Sequence, residues 1–364
     1  MRYSILLNTA VKVAMEVKEK AEEVDEDGST ARRSAHPSHH MLISGTTLVQ
    51  WDQAKSNPKM KHEWTVDTTI VVRNDWGIDT VFKRQFKFYK KRFEEPDLSE
   101  ILDLSVSNPH LGVVCHRLST SNLIDEDFHF MQELGGFCPV EEWAISRLDH
   151  RPGLFILSGM LTEAFQLRWL EKCLLHYAEP PNVTNLSALG TYTDANVYRS
   201  CGEKLRWATM GNDYNWARKE YDNRPRAELP SEVTRFAALV ARAVGAGEMR
   251  ADAAILNFYP EKATLSPHVD ISERDMTRPL VSLSLGQSAV YLTGGESLAD
   301  TPVDALMLHS GDVLVMHAAQ RRVYHAIPRI LQTRRFVARE QVAPEVVDFA
   351  NRCRFNMTIR QVDS

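Results

Sequence analysis

From residue 250 onward the chain changes texture, and that change limits its fold more than any other feature. Short runs rich in Val, Ile, Leu, Phe and Tyr alternate with turn residues: "AAILNFY", "PLVSLSL", "SAVYLTGG", "DALMLHSGDVLVM", "VYHAI", "RRFVA" and "RFNMTIRQV". β-Branched and aromatic residues fit a pleated surface, and many such runs with turns between them imply a sandwich or barrel. Upstream the pattern differs. "GLFILSGM" at 153–160 predicts a buried strand, and Thr162 is placed to cap the helix that follows. In that helix Phe165, Trp169 and Cys173 repeat at every fourth position. Ser231 precedes a second helix, with Phe236, Val240 and Val244 in one stripe and Gly245 and Gly247 at its end. The expectation is an α+β chain, helical and mixed first, all-β last.

The 364 residues divide by texture into four segments. Residues 1–40 read as a disordered or targeting N-terminus: an amphipathic helix over 1–20, then a polar stretch over 21–40 with too few large apolar groups to fold. Its early glutamates argue against a transit peptide, and its broken apolar stretch makes a poor secretory signal. Residues 41–150 form an N-terminal extension with a basic helix, and "TTIVVRN" at 68–74 reads as a strand within it. Residues 151–250 carry helices and a strand, and residues 251–364 the β-rich core. No apolar run approaches the ~20 residues of a membrane span. The five cysteines form no C-x-x-C pair, so neither a disulfide framework nor a cysteine zinc site is indicated, and a reducing compartment is expected.

With a net charge of -5, any surface for nucleic acid must be local. Residues 83–93, "KRQFKFYKKRF", supply one: six basic residues, four aromatics and no acid. Phe86, Tyr89 and Phe93 fall on one face of a helix, with Lys83, Lys87, Lys90 and Lys91 mostly elsewhere. The plain reading is a helix that docks through its rings and solvates its charges. The sharper reading, compatible with the first, is a surface for backbone phosphates.

The chemistry lies in the all-β part, where a strand sends residues i and i+2 to one face. His268 and Asp270 project together on that argument, as do Asn257 and Tyr259. So do Arg354, Asn356, Thr358 and Arg360, while Phe355, Met357 and Ile359 face the other way. H-x-D with a distant third ligand, His325, is the facial triad of non-haem Fe(II) oxygenases, which leaves half the metal open for a chelating co-substrate and O2. In a chain with 13 histidines, H-x-D alone can arise by chance. Two arginines on one face of a strand with apolar neighbours add weight, because burying them costs heavily without an anion. Arginine forks suit carboxylates, and a 2-oxo dicarboxylic acid would serve both the iron and the arginines.

"NFYPEKATLSPHVDISERDMTRPLVSLSLGQSAVYLTGG", "LHSGDVLVMHAAQRRVYHAI" and "RFNMTIRQ" together resemble the AlkB family of Fe(II)/2-oxoglutarate nucleic-acid dioxygenases. The order N-x-Y, H-x-D, H, R-x-N-x-T-x-R spans residues 257–360, and the likeness extends upstream to about residue 80. There "RWATMGNDYNWARKEY", "GLFILSGMLTEAFQLRWLEKCLLHYAEPPNVTNL" and "FKFYKKRFEEPDLSEILDLS" resemble the first AlkB homologue of animals. The resemblance implies a double-stranded β-helix (jelly-roll) catalytic core with an N-terminal helical extension. It implies that His268, Asp270 and His325 hold Fe(II), and that Asn257, Tyr259, Arg354, Asn356 and Arg360 hold 2-oxoglutarate. Trp207 and Tyr214 would sit in a base-recognition lid, and Lys87, Lys90 and Lys91 would grip phosphate. Arg321 matches a family arginine without an assigned role. Ser272 stands where the bacterial prototype has an aspartate, which fits the animal-homologue branch.

The implied activity is oxidative demethylation of bases in tRNA or DNA. Tasks suggested are removal of 1-methyladenine from tRNA or N6-methyladenine from DNA, and oxidation of 5-methylcytosine in tRNA. The implied setting is nucleus or mitochondrion, with cytoplasm as a further option, and a monomer. An oxygenase acting on a protein such as a histone, or an abasic-DNA lyase, is the rival reading.

Overall fold

The computed structural model describes residues 79–362, apart from 106–107, 109–110, 193, 216–219, 222–224 and 226, together with residues 40–43 and 47–50 further upstream. Contacts divide the chain into Met1–Arg73 and Asn74–Ser364. Within the first unit, β1 (His40–Ile43) and β2 (Thr47–Gln50) pair antiparallel, Met41 opposite Val49. The helix expected over 1–20 and the strand expected at 68–74 lie outside the described residues. So does the disorder expected over 21–40, except that His40 opens β1.

The second unit is built on two antiparallel sheets. Its strands are β3 (Val113–Arg117), β4 (Ala144–Leu148), β5 (Leu154–Ser158), β6 (Val183–Thr184), β7 (Trp207–Gly211), β8 (Tyr214–Asn215), β9 (Glu220–Tyr221) and β10 (Ala253–Tyr259). They continue with β11 (Leu265–His268), β12 (Leu280–Gly286), β13 (Ser288–Thr293), β14 (Asp304–Leu308), β15 (Val313–Met316), β16 (His325–Leu331) and β17 (Arg354–Arg360). The helices are α1 (Val81–Lys90), α2 (Asp125–Leu134), α3 (Glu163–Leu175), α4 (Asn185–Ala188), α5 (Val197–Cys201), α6 (Ser231–Ala243) and α7 (Pro344–Arg352). The large sheet runs β3-β4-β5-β15-β12-β17-β10-β7-β6 and the small one β11-β16-β13-β14. From β10 to β17 the chain passes back and forth between the sheets, which is the jelly-roll expected from the sequence.

Alternation along each strand builds two cores from one sheet. On β17, Phe355, Met357 and Ile359 are fully buried against α3, α6 and α7, in a cluster with Trp169, Phe236 and Phe349. Burying each such side chain contributes roughly 1.5–3 kcal/mol. The other face of the large sheet looks at the small one. There Tyr259, Leu280, Leu314 and Met316 meet Ala289, Tyr291, Leu308 and Ile327 across the interior. Arg354, Asn356, Thr358 and Arg360 point into that same interior, and all four are buried. β10 and β12 flank β17 in register, Tyr259 opposite Arg354 and Ser284 opposite Asn356.

Helix α1 packs on the outside of the small sheet. Phe82, Phe86 and Tyr89 are buried against Val290, Leu292 and Ala326. Thr80 caps it, its hydroxyl accepting from the Lys83 N–H at 3.4 Å. Two expectations for this segment fail. The helix ends at Lys90, so Phe93 lies beyond it and is fully exposed, and Lys83 is buried rather than solvated.

Other departures have local causes. "DALMLHSGDVLVM" is two strands in different sheets, because the chain turns at Gly311, whose φ of +89° an L side chain rarely adopts. "RRFVA" forms no strand: the Phe336 N–H donates to the Asn351 side-chain carbonyl at 2.7 Å instead of to a ladder. Ser231 is the first residue of α6, and Pro230 occupies the cap position. Thr162 does cap α3, accepting from the Phe165 N–H. The boundaries read at 150 and 250 fall inside one compact unit, since strands from both sides share the large sheet. Among the described residues, no helix is long and apolar enough to cross a membrane, and all five cysteines are free.

Candidate active site

His268 ends β11 and His325 opens β16, and the two residues are paired across the small sheet. Their rings lie 4.2 Å apart. Asp270 falls two residues past the end of β11, so strand alternation does not place it. Arg360 does: its Nη2 stands 2.9 Å from Asp270 Oδ1. The result is a cluster of His268, Asp270 and His325 whose ligand atoms all lie within 4.8 Å of one another, and it is the one such group found among the described residues.

The backbone sets both imidazoles for a metal. His268 Nδ1 lies 2.8 Å from the Ser266 carbonyl, and His325 Nδ1 lies 3.3 Å from that of Val323. A carbonyl can only accept, so each Nδ1 carries the proton and each Nε2 lone pair is free to ligate. Both Nε2 atoms face Asp270, at 3.9 Å for His268 and 3.4 Å for His325. The His268 imidazole is pushed down to about 4, by burial first and by His325 second, although 33% of its side chain still meets solvent. Burial alone would raise the Asp270 carboxyl, but Arg360 and the two histidines hold it well below its usual range. Two imidazoles and one carboxylate, adjacent and partly open to solvent, fit a divalent iron with free coordination positions.

The arginine strand divides its labour. Arg354 is only 2% exposed, and its Nη2 donates to the Ser284 hydroxyl at 3.0 Å. Its Nε and Nη1 are buried without a hydrogen-bond partner. The guanidinium lies over the Tyr259 ring, 5.1 Å from its centre. Burial pushes Arg354 down and Tyr259 works the other way. A buried cation with two nitrogens left without hydrogen-bond partners calls for an anion, so the residues present fit one end of 2-oxoglutarate.

Arg360, expected with Arg354 to hold 2-oxoglutarate, lies against two carboxylates of the chain. Besides Asp270, its Nη1 donates to Glu273 Oε1 at 2.7 Å. The amide of Asn356 is likewise occupied, its nitrogen donating to Ser282 Oγ at 2.7 Å and to the Leu283 carbonyl at 3.1 Å, its oxygen accepting from Thr358. Asn356 therefore braces β17 against β12. Asn257 stands opposite it in register, half-buried on the same interior face.

Trp207 opens β7, half-buried and in register with Asn257. Tyr214 belongs to the short β8–β9 pair, and its hydroxyl lies 3.1 Å from Ser272 Oγ, two residues past Asp270. The fold thus brings the Tyr214 hydroxyl close to the Asp270 segment and sets Trp207 beside Asn257 on the large sheet. Lys87, Lys90 and Lys91 are on α1, on the outer face of the small sheet, and all three are exposed.

Several neighbours went unnoticed in the sequence. Tyr291 stacks on His325 at 5.8 Å, Tyr221 packs edge-on to Tyr214 at 5.0 Å, and Glu273 lies buried beside Arg360. Glu273 and Arg321 form an ion pair at 3.0 Å, which gives the unassigned arginine a partner. An acidic residue just after H-x-D, with a spare arginine before His325, was the only available signal.

Comparison with known proteins covers this whole region. The model of the 2OG-Fe(II) oxygenase superfamily matches residues 153–360. The chain is 33% identical over 279 residues to human nucleic acid dioxygenase ALKBH1, 70% of each protein being covered. It is 31% identical over 315 residues to the tRNA demethylase abh1 of Schizosaccharomyces pombe, covering 78% of this chain and 95% of that one. It is 27% identical over 309 residues to the DNA N(6)-methyladenine demethylase ALKBH1A of Arabidopsis thaliana, covering 72% and 85%. Since the match takes in both sheets and every residue of the metal cluster, the chain belongs to the 2OG-Fe(II) oxygenase superfamily, among the AlkB-type dioxygenases close to ALKBH1, which work with Fe(II), 2-oxoglutarate and O2.

Proposed function

We propose that this chain oxidatively demethylates methylated bases in nucleic acid, with tRNA and DNA as its substrate classes. The observation that carries the chemistry is the pairing of an open His268–Asp270–His325 cluster with Arg354, a buried cation holding two unused donors. The names of the relatives supply the substrate class: one is a tRNA demethylase, another a DNA N(6)-methyladenine demethylase.

In this reading His268, Asp270 and His325 hold Fe(II). Arg354 takes the distal carboxylate of 2-oxoglutarate, with the Tyr259 phenol and the Asn257 amide on the same interior face. Arg360 and Asn356 frame that pocket, Arg360 by holding Asp270 and Asn356 by bracing the strand. When bound, the metal and co-substrate would let O2 oxidise 2-oxoglutarate to succinate and CO2 and the N-methyl group to N-hydroxymethyl, whose C–N bond then breaks to release formaldehyde and return the proton to the base nitrogen.

The chain's own groups prepare that event. The Ser266 and Val323 carbonyls hold each histidine by Nδ1, so that Nε2 is the nitrogen turned toward the metal position. Apolar side chains from both sheets line the interior and exclude bulk water. Trp207 and Tyr214 receive the base, a flat ring and a phenol suited to stacking and to its edge. A base must leave its stack to reach the barrel, which costs a few kcal/mol and is cheapest in loops, bulges and single strands. Lys87, Lys90 and Lys91 hold the backbone outside.

Mass spectrometry of nucleosides tests the reading. A mixed RNA and DNA pool treated with the chain, Fe(II), ascorbate and 2-oxoglutarate is expected to lose a methylated base, with 1-methyladenine of tRNA, N6-methyladenine of DNA and 5-methylcytosine of tRNA as the species to follow. Asp270→Ala should abolish the loss. An unchanged nucleoside profile alongside steady succinate release would move the substrate to protein.

A further inference from the structure

Behind the metal cluster, four charged side chains form one buried chain. Arg360 Nη2 meets Asp270 Oδ1 at 2.9 Å, and its Nη1 meets Glu273 Oε1 at 2.7 Å. Glu273 Oε2 lies 3.0 Å from Arg321 Nη2, and Arg321 Nη1 donates to the Arg278 carbonyl at 2.6 Å. The side chains of Glu273 and Arg321 are each 1% exposed. Charged groups this deep are costly, and apolar packing would often be as stable, so their presence needs a reason beyond stability. Neither iron nor 2-oxoglutarate binding as described uses Glu273 or Arg321.

The geometry supplies the reason. Arg321 lies in the 3-10 turn Ala318–Arg322, which leads directly into His325 at the start of β16. The ionic chain therefore runs from the carboxylate ligand to the turn that delivers the second histidine. A guanidinium that is free to rotate grips a carboxylate with two parallel N–H groups. In this structure Glu273 holds Nη1 of Arg360, only Nη2 reaches Asp270, and the buried Nε, which lies parallel to Nη2, is kept turned away from Asp270 and has no partner. Asp270 Oδ2 is left facing His325 Nε2 at 3.4 Å.

We propose that Glu273 is a positioning residue for the metal site: by anchoring Arg360 between itself and Asp270, it keeps one carboxylate oxygen free for the ion. Arg321 fixes Glu273 in turn. Without Glu273, Arg360 rotates and captures both oxygens of Asp270, and the site binds metal weakly. The inference rests on His268, Asp270 and His325 being the metal ligands.

Co(II) is the probe, followed by titration and by its visible absorption spectrum on the full chain, so no turnover is needed. Glu273→Gln keeps the shape of the side chain and an acceptor for Arg360 but loses the charge that anchors it. Its Co(II) affinity is expected to fall about 10- to 100-fold, with altered absorption bands. The double variant Glu273→Gln, Arg321→Met removes one charge of each sign. A role confined to charge balance predicts that it recovers wild-type affinity; the positioning role predicts that it stays weak. A folded variant of either kind with wild-type affinity and spectrum overturns the proposal. Failure of both to fold would make Glu273 structural and overturn it too. If wild-type chain binds no Co(II), or His268→Ala binds it equally well, the metal reading falls and takes this inference with it.

Discussion

Arg354 Nε and Nη1 are buried and unpartnered, whereas Arg360, on the same face of the same strand, is gripped by two carboxylates. Charge-assisted hydrogen bonds contribute about 1.5–3 kcal/mol each, so an anion at Arg354 gains from the directed N–H donors of the guanidinium as well as from its charge. Arg354→Lys keeps the charge and loses the fork. It is expected to raise the KM for 2-oxoglutarate at least ~10-fold while kcat at saturation changes much less, as initial rates against co-substrate concentration would show. An unchanged KM would mean that the dicarboxylate binds elsewhere. The sequence singled out Arg354 and the His268–Asp270–His325 group because their residue types name a chemistry. It did not disclose Glu273: one acid among 48 Asp and Glu carries no signal until the fold brings Arg321 and Arg360 against it.

At the scale of elements, β17 was legible because its polar and apolar residues alternate strictly and each face meets a different core. The upstream strands β3, β4 and β7 were not. They are short, and pairing with neighbours outside their own segment fixes them: β4 lies between β3 and β5, and β7 between β6 and β10, Ala253 opposite Gly211. The crossing from β14 to β15 shows how a connection is stabilised and how it can be tested. There Asp312 is buried, and its carboxylate accepts the His309 N–H at 2.7 Å. Burial pushes its carboxyl up to about 7, the His309 N–H and imidazole opposing and Asp103 adding. An unfolded aspartate releases its proton near ~3.9. Between about 4 and 7, then, the native state keeps a proton that the unfolded state has lost, and stability must fall as pH rises through that window. Thermal unfolding should give a lower Tm for wild type at pH 8 than at pH 5, by at least ~2 °C on this group's account. Asp312→Asn, which keeps the acceptor and cannot ionise, should flatten that dependence. Equal slopes for the two proteins would show that Asp312 is ionised in the native state.

On the scale of the whole molecule, the chain is acidic overall at -5, so nucleic acid must be met by a local field. Helix α1, the candidate for that field, packs on the outside of the small sheet, whose strands β11 and β16 carry His268 and His325. Its inner face is spent on Phe82, Phe86 and Tyr89, which leaves Lys87 and Lys90 at its end, with Lys91 just past it, free to face a ligand. Lys87 reaches Asp79 only at 3.9 Å and Lys91 reaches Glu94 at 3.4 Å, exposed pairs worth little and readily exchanged for phosphate. If these lysines meet the backbone, reversing all three to Glu should raise the KM for a methylated stem-loop well over 10-fold and leave kcat at saturation nearly intact. It should also flatten the plot of log affinity against log salt by about 2, since each single-strand phosphate contact contributes ~0.7 to that slope. A slope that stays the same in the reversed protein would remove α1 from the interface. The phosphate path would then have to lie on the Trp207 and Tyr214 side of the barrel, and the helix would keep only its role of closing the small sheet.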